Sequence, residues 1–251
     1  MFCKNDKMNQ YCQIDEYAAG SQASPEAPSC CPKVDRPGDI YKTVEPMKDA
    51  KREAILTAAN EQFKQYGFRK TSMDDIARRM GISRGSLYSY FDNKDEIFRN
   101  VSLSVHQLAL LEARDHLSVG SDASDSGSDA ATDLVALTLR VEKALLARHS
   151  PFQEAVTNST HGEELFDEYS RLCGDIVQDS HARFQALLAT ALNEAARRKE
   201  IDLKNVGITG KSAAEILNLS AAGLKHGAGD AKTFRSRIKN FTRVFIAGLR
   251  G

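Results

Sequence analysis

Apolar residues along this chain recur at intervals of three and four, and no convincing run of period two occurs. That spacing predicts helices packed through one face, so the fold class is all-α with about nine helices. A first helix is expected from Lys48, with Ile55, Ala58, Ala59, Phe63 and Tyr66 on one stripe and Gly67 ending it. A fourth helix, opening near Lys94 after the turn Asp92-Asn93, carries Ile97, Phe98, Val101, Val105 and Leu108 on its buried face. A fifth is expected over about 133–147, through Leu134, Leu137, Val141 and Leu145. Pro151, tolerated at a first helical position, then restarts the chain into a short helix from Phe152 to Val156. From about His161 to Arg198 the positions Leu165, Tyr169, Leu172, Ile176, Phe184, Leu187, Leu188 and Leu192 keep the period, which predicts one long helix. After a loop around 205–210, Ala213, Ile216, Leu217, Ser220 and Leu224 mark another helix. Phe234, Ile238, Phe241, Phe245 and Leu249 mark the last.

Between the first and fourth helices, Ser72 to Phe91 reads as two short helices around a tight turn. Thr71 or Ser72 caps the first, with Asp74 and Asp75 in its opening turn, where the helix dipole favours negative charge. Gly81 supplies the positive φ that closes this helix, and Ser83 caps the second, whose Leu87 and Phe91 share a face. Arg84, Gly85, Ser86, Tyr88, Ser89 and Tyr90 are left outside. Hydrogen-bond donors, a residue without a side chain and aromatic hydroxyls suit a helix entering a DNA groove.

Two stretches break the helical pattern. Residues 1–46 hold five prolines among glycines, serines and charges, and read as a disordered extension; Met47 is an alternative start of translation. Residues 118–132, rich in Ser and Asp, read as a flexible linker. The expected organisation is therefore an extension over 1–46, a three-helix DNA-binding domain over 47–93 and a helical body over 94–251.

Composition changes this picture only in detail. Net charge is zero, but residues 47–100 carry 11 Lys/Arg against 8 Asp/Glu, while residues 101–229 carry 12 against 18. A mildly basic module on an acidic body fits a protein that meets phosphates at one end. No run approaches the about 18 apolar residues of a membrane span, and the polar N-terminus lacks a secretion signal, so a cytoplasmic protein without membrane contact is expected. Cys3, Cys12, Cys30 and Cys31 cluster in the extension, and the vicinal pair leaves redox or metal sensing open beside a reading of reduced thiols. No zinc-ligand spacing, Ser-His-Asp arrangement or phosphate-binding glycine loop is present, so neither a catalytic activity nor a cofactor is expected.

The chain resembles the TetR family of bacterial one-component repressors over about Lys48 to Val101. The resemblance is carried by Ala54-Ile55-Leu56-Thr57-Ala58-Ala59, Phe63-Lys64-Gln65-Tyr66-Gly67-Phe68 and Thr71-Ser72-Met73-Asp74-Asp75-Ile76-Ala77. It continues through Gly81-Ile82-Ser83-Arg84-Gly85-Ser86-Leu87-Tyr88-Ser89-Tyr90-Phe91 and Lys94-Asp95-Glu96-Ile97-Phe98. It implies a homodimer whose two recognition helices read a palindromic operator in double-stranded DNA, with half-sites about 34–36 Å apart, and a body that binds a small-molecule effector. The implied action is repression relieved by that effector.

On this reading the DNA-facing residues are Thr71, Ser72, Arg84, Gly85, Ser86, Tyr88, Tyr90 and Lys94. Arg84 is the leading base reader, because a guanidinium can donate twice to guanine O6 and N7. Effector-pocket candidates are His149, Phe152, His161, Phe166, Tyr169, Cys173, His181 and Phe184, whose aromatic character suggests an apolar or aromatic ligand. Small and aromatic residues of the last two helices, Ala214, Leu217, Ala221, Phe234, Phe241 and Phe245, are the dimer-interface candidates.

Overall fold

The computed structural model describes residues 50–118, 130–157 and 159–250, the side chains of 130–131 and 152–157 excepted. The N-terminal extension with its four cysteines and most of the Ser-Asp linker lie outside the described residues. Among the described residues there are nine helices and no strand. They are α1 (Ala50–Tyr66), α2 (Met73–Arg79), α3 (Arg84–Tyr88), α4 (Lys94–Leu117), α5 (Ala130–Thr157), α6 (Gly162–Leu172), α7 (Gly174–Arg197), α8 (Gly210–Gly223) and α9 (Ala231–Gly248).

The head is built on α1, α2, α3 and the first turns of α4. Phe63, Phe68 and Phe98 form a triangle of rings with centroids 5.1–5.4 Å apart, in tilted and edge-on contacts. Ile55, Ile76, Leu87, Phe91 and Ile97 close around it, all buried. Each such side chain contributes about 1.5–3 kcal/mol through burial, which is what holds helices as short as α2 and α3 in place.

In the body α4 packs along α5 and against α7, α8 lies on α7, and α9 lies on α5. The core between them runs from Leu110 and Ala113 through Leu137, Val141, Leu145, Phe184, Leu188 and Leu192 to Leu217, Phe234 and Ile238. Polar clips join the elements at its edges. Arg140 pairs with Glu200 at 2.8 Å, and Arg237 donates to the carbonyls of Leu224, His226 and Gly227 beyond the end of α8.

Three expectations are corrected here. The chain does not restart at Pro151, because α5 runs through it without interruption. A proline inside a helix forfeits one backbone hydrogen bond, here to the carbonyl of Ala147, and the burial of Ala144, Leu145 and Ala147 keeps the helix on course. Nor is the stretch from His161 to Arg198 one helix. It breaks at Cys173 (φ −123°, ψ 15°), where Arg99 of α4 donates to the Leu172 carbonyl and grips Asp175 of α7 through hydrogen bonds of 2.9 and 2.7 Å. Tyr66, Leu108 and Ile216, assigned to buried stripes, are instead exposed.

The dimer-interface candidates divide. Ala214, Leu217, Ala221 and Phe234 are wholly spent on the protomer's own core and present no surface. Small residues at these positions let α8 approach its own neighbours. Phe241 and Phe245 are half-buried, with their rings 5.7 Å apart. The large apolar groups that the last two helices leave in solvent are Ile216, Leu219 and Val244, the last 75% exposed.

Candidate functional site

The recognition unit is set by local chemistry. Ser72 caps α2 in a reciprocal box: its hydroxyl accepts from the Asp75 amide and donates to the Asp75 carboxylate, which also accepts from the Ser72 amide, and the hydroxyl and then the amide hold that carboxyl below its ordinary range. Gly81 takes φ +64°, so the chain turns and Ser83 caps α3 through the Ser86 amide. Leu87, fully buried, pins α3 to the head. Its other side presents Arg84, Gly85, Tyr88 and, half-exposed, Ser86.

Arg84 stands 3.2 Å from Asp74 and donates weakly to the Tyr88 hydroxyl, with its guanidinium 5.5 Å from the Tyr88 ring. This exposed pair is worth little in water, so the guanidinium can exchange Asp74 for a base edge. A Cβ added at Gly85 would meet open space, so nothing inside the protomer requires glycine there. Tyr90 is half-buried, and its carbonyl accepts from Arg52, whose guanidinium lies 4.2 Å over the Phe91 ring and also donates to Asn100. Arg52 thus fixes the end of the recognition unit against α1 and α4, a role the sequence reading missed.

Two predicted DNA contacts are bonded within the protomer. Thr71 is 2% exposed, and its hydroxyl donates to the Gly67 carbonyl at 2.7 Å. The Lys94 ammonium turns inward, donating to the carbonyls of Phe68 and Thr71 at 2.7 and 2.9 Å above the Phe68 ring, where burial lowers its pKa. In the free protomer both hold the α1–α2 turn.

That turn is also where the body grips the head. Gly67 leaves α1 at φ +84°, and the Arg69 amide donates to the Glu164 carboxylate of α6 at 2.6 Å. Glu168, one turn later, pairs with Arg69 and more closely with Arg171, and Arg171 in turn reaches Asp95 of α4. Ser159, ahead of α6, donates to the Lys64 carbonyl.

Leu165, Phe166 and Tyr169 of the same helix line a cavity of about 190 Å³. Asn60, Phe63 and Lys64 of α1, Phe98 to Ala109 along α4, and Arg148 and Pro151 of α5 complete the lining. His106 and Tyr169 share a hydrogen bond of 2.5 Å within it. Burial, and next the charges of Arg148 and Lys225, pushes the His106 pKa down to about 3, so this ring is neutral.

Of the pocket candidates, Phe166 and Tyr169 line the cavity and the others with described side chains lie elsewhere. His149 is buried against Phe184 and donates to Asn218, which donates on to His181; these are core polar groups satisfying one another. Cys173 is enclosed, donates to Ser102, and has its thiol pKa raised by burial. His161 is half-buried, 3.8 Å from Glu164. The Phe152 side chain lies outside the described residues. His106 and Arg148 went unpredicted although a signal existed, since both interrupt apolar stripes at helical spacing.

A capped helix-turn-helix joined through one helix to an all-helical body is the arrangement of a helix-turn-helix DNA-binding regulator. Comparison with known proteins agrees. Residues 55–101 match the model for bacterial regulatory proteins of the tetR family. The probable HTH-type transcriptional regulator ArpR of Pseudomonas putida is 28% identical over 159 residues, spanning 62% of this chain and 73% of that protein. Among solved structures, SmeT, the repressor of the Stenotrophomonas maltophilia multidrug efflux pump SmeDEF, shares the fold. It is 22% identical, with a TM-score of 0.53 over 80% of this chain and 90% of that one. The SmeT–triclosan complex superposes with a TM-score of 0.54 at 20% identity, over 80% and 91% of the two chains. The head is thus similar to the DNA-binding region of tetR-family regulators, and the helical chain shares the fold of SmeT.

Proposed function

We propose that the chain is a homodimeric repressor that binds a palindromic operator and is released by a small-molecule effector in the cavity between head and body. The observation that carries this reading is the double duty of α6. Leu165, Phe166 and Tyr169 line the cavity, while Glu164 and Glu168 of the same helix hold the Gly67–Arg69 turn of the head. A ligand that displaces α6 alters how the head is held. It shifts DNA affinity only by as much as it prefers one arrangement, typically 1–3 kcal/mol. SmeT, with the same fold, is a repressor captured with triclosan, which supports assigning a ligand to this region.

On this reading Arg84 reads a base, Gly85 admits the helix to the groove floor, and Ser72, Ser86, Tyr88 and Tyr90 contact the backbone. The functional division follows the head, residues 47–93, and the body, residues 94–251. Dimerisation is supported by the outward Ile216, Leu219 and Val244 with the half-buried Phe241 and Phe245. Two measurements test the proposal. Selection from random duplex DNA with the full chain should return a palindrome with half-sites about one helical turn apart. Light scattering should give twice the 27.6 kDa chain mass. Asymmetric selected sites together with a monomeric mass would refute it.

A further inference from the structure

A hydrogen bond joins α4 to α6 across the wall of the chamber. His106 and Tyr169 meet at 2.5 Å with their rings stacked, centroids 6.0 Å apart, and both residues are more than nine-tenths buried. The walls around the pair are apolar, with Phe63, Phe98, Val101, Val105 and Leu165 among them. The neighbouring Ser102 hydroxyl is engaged by the Cys173 thiol. Burial keeps His106 neutral, so its ring offers one N–H and one lone pair. The bond thereby ties α4 to the helix whose Glu164 accepts from the Arg69 amide of the head.

We propose that the effector is an aromatic alcohol whose hydroxyl inserts between His106 and Tyr169 and wedges α6 away from α4. A hydroxyl accepts and donates through one oxygen. In either tautomer of His106 it therefore takes a hydrogen bond from one neighbour and gives one to the other, so that neither buried group is left unpaired. An ether oxygen only accepts, and its second carbon occupies a side from which His106 or Tyr169 would approach. Two hydrogen bonds of about 2.8 Å meeting at a tetrahedral oxygen span about 4.5 Å, so insertion drives the pair about 2 Å apart from its present 2.5 Å. Close-packed surroundings transmit such a displacement. The element that yields is α6, 11 residues long, rather than α4, whose 24 residues are packed into both head and body. A shift of this size carries Glu164 from 2.6 Å to beyond hydrogen-bond reach of the Arg69 amide. The inference rests on the cavity being the effector site and adds to that reading the chemical group that acts there.

The test uses the purified full chain with 2-naphthol and 4-ethylphenol, each beside its methyl ether. In calorimetry at least one phenol should bind about 3- to 10-fold more tightly than its ether, the factor supplied by one further hydrogen bond. In amide hydrogen exchange, saturation with that phenol should speed exchange at Arg69 by about 2- to 10-fold as its bond to Glu164 opens, and the ether should leave the rate unchanged. Tyr169→Phe should still bind the phenol through His106, yet its Arg69 rate should no longer respond. The measurements on the parent chain decide the outcome even if Tyr169→Phe does not fold. Neither phenol binding, ethers binding as tightly as phenols, or an Arg69 rate that ignores the bound phenol in the parent or still responds to it in Tyr169→Phe overturns the wedge. Overhauser contacts between the bound ring and the methyl groups of Val101 and Val105 tell failure of the wedge from failure of the site. With those contacts present, equal binding of phenol and ether overturns the wedge alone, whereas binding without them overturns the cavity as the effector site.

Discussion

Replacing Gly67 by alanine tests the grip of the body on the head. Gly67 sits at φ +84°, a conformation that costs an L-residue about 1–2 kcal/mol. The new Cβ would also lie 2.5 Å from a Glu164 carboxylate oxygen. The obstruction is the far end of a flexible side chain, so Glu164 gives way and the backbone stays. Its displacement sacrifices the 2.6 Å bond from the Arg69 amide, a bond to a charged group that exposure to solvent reduces to about 1 kcal/mol here. Together the two effects sum to about 2–3 kcal/mol. For a chain of this size that lowers the melting temperature by about 4–12 °C in calorimetry. Glu164→Ala alone should cost about 1 kcal/mol. Because Gly67→Ala already breaks the contact, the double variant should cost no more than Gly67→Ala, leaving an interaction term of at least about 0.5 kcal/mol. Strict additivity, or a Gly67→Ala chain that melts where the parent does, would show that the turn and α6 are not coupled as described.

Other consequences can be measured directly. Arg84→Ala should weaken operator binding by about 1–3 kcal/mol and relax selectivity at one base position, seen in competition with base-substituted duplexes. Gly85→Ala should stabilise the free protein by about 0.5–1 kcal/mol in urea unfolding, because glycine is a poor helix residue and the site has room, yet impair DNA binding; unimpaired binding refutes close approach to the groove. Lys94→Met should lower stability by about 1–3 kcal/mol through the two carbonyls it abandons, with the loss visible without DNA and insensitive to salt. Between pH 6.5 and 5 the unfolded chain takes up protons that His106, held near 3, and His149, held well below its ordinary value by burial, refuse in the native state. Stability should therefore fall with falling pH, with a slope for each that rises from about 0.7 kcal/mol per pH unit at pH 6.5 toward about 1.4 at pH 5, and His106→Gln should halve the combined slope in urea titrations.

The sequence by itself determined what is local. Ser72, Asp75, Gly81 and Ser83 write the caps and turn of the recognition unit within a dozen residues, so its boundaries and outward face were legible. Periodicity gave the helices, but it cannot see a break whose register continues, and the Val177 amide still bonds the Cys173 carbonyl across the gap between α6 and α7. Burial of a polar group depends on partners far along the chain. Thr71 and Lys94 look like surface donors until the carbonyls of Gly67, Phe68 and Thr71 are folded against them. His106 and Tyr169 meet across 63 residues, and Arg148 joins them only because α5 packs along α4. The small residues of α8 read as an interface until the structure placed them in the protomer's own core. The helix that reads DNA is specified by its neighbours in sequence. The chamber, its charge and its link to the head exist only after distant helices have packed, because each needs groups from three or four of them at once.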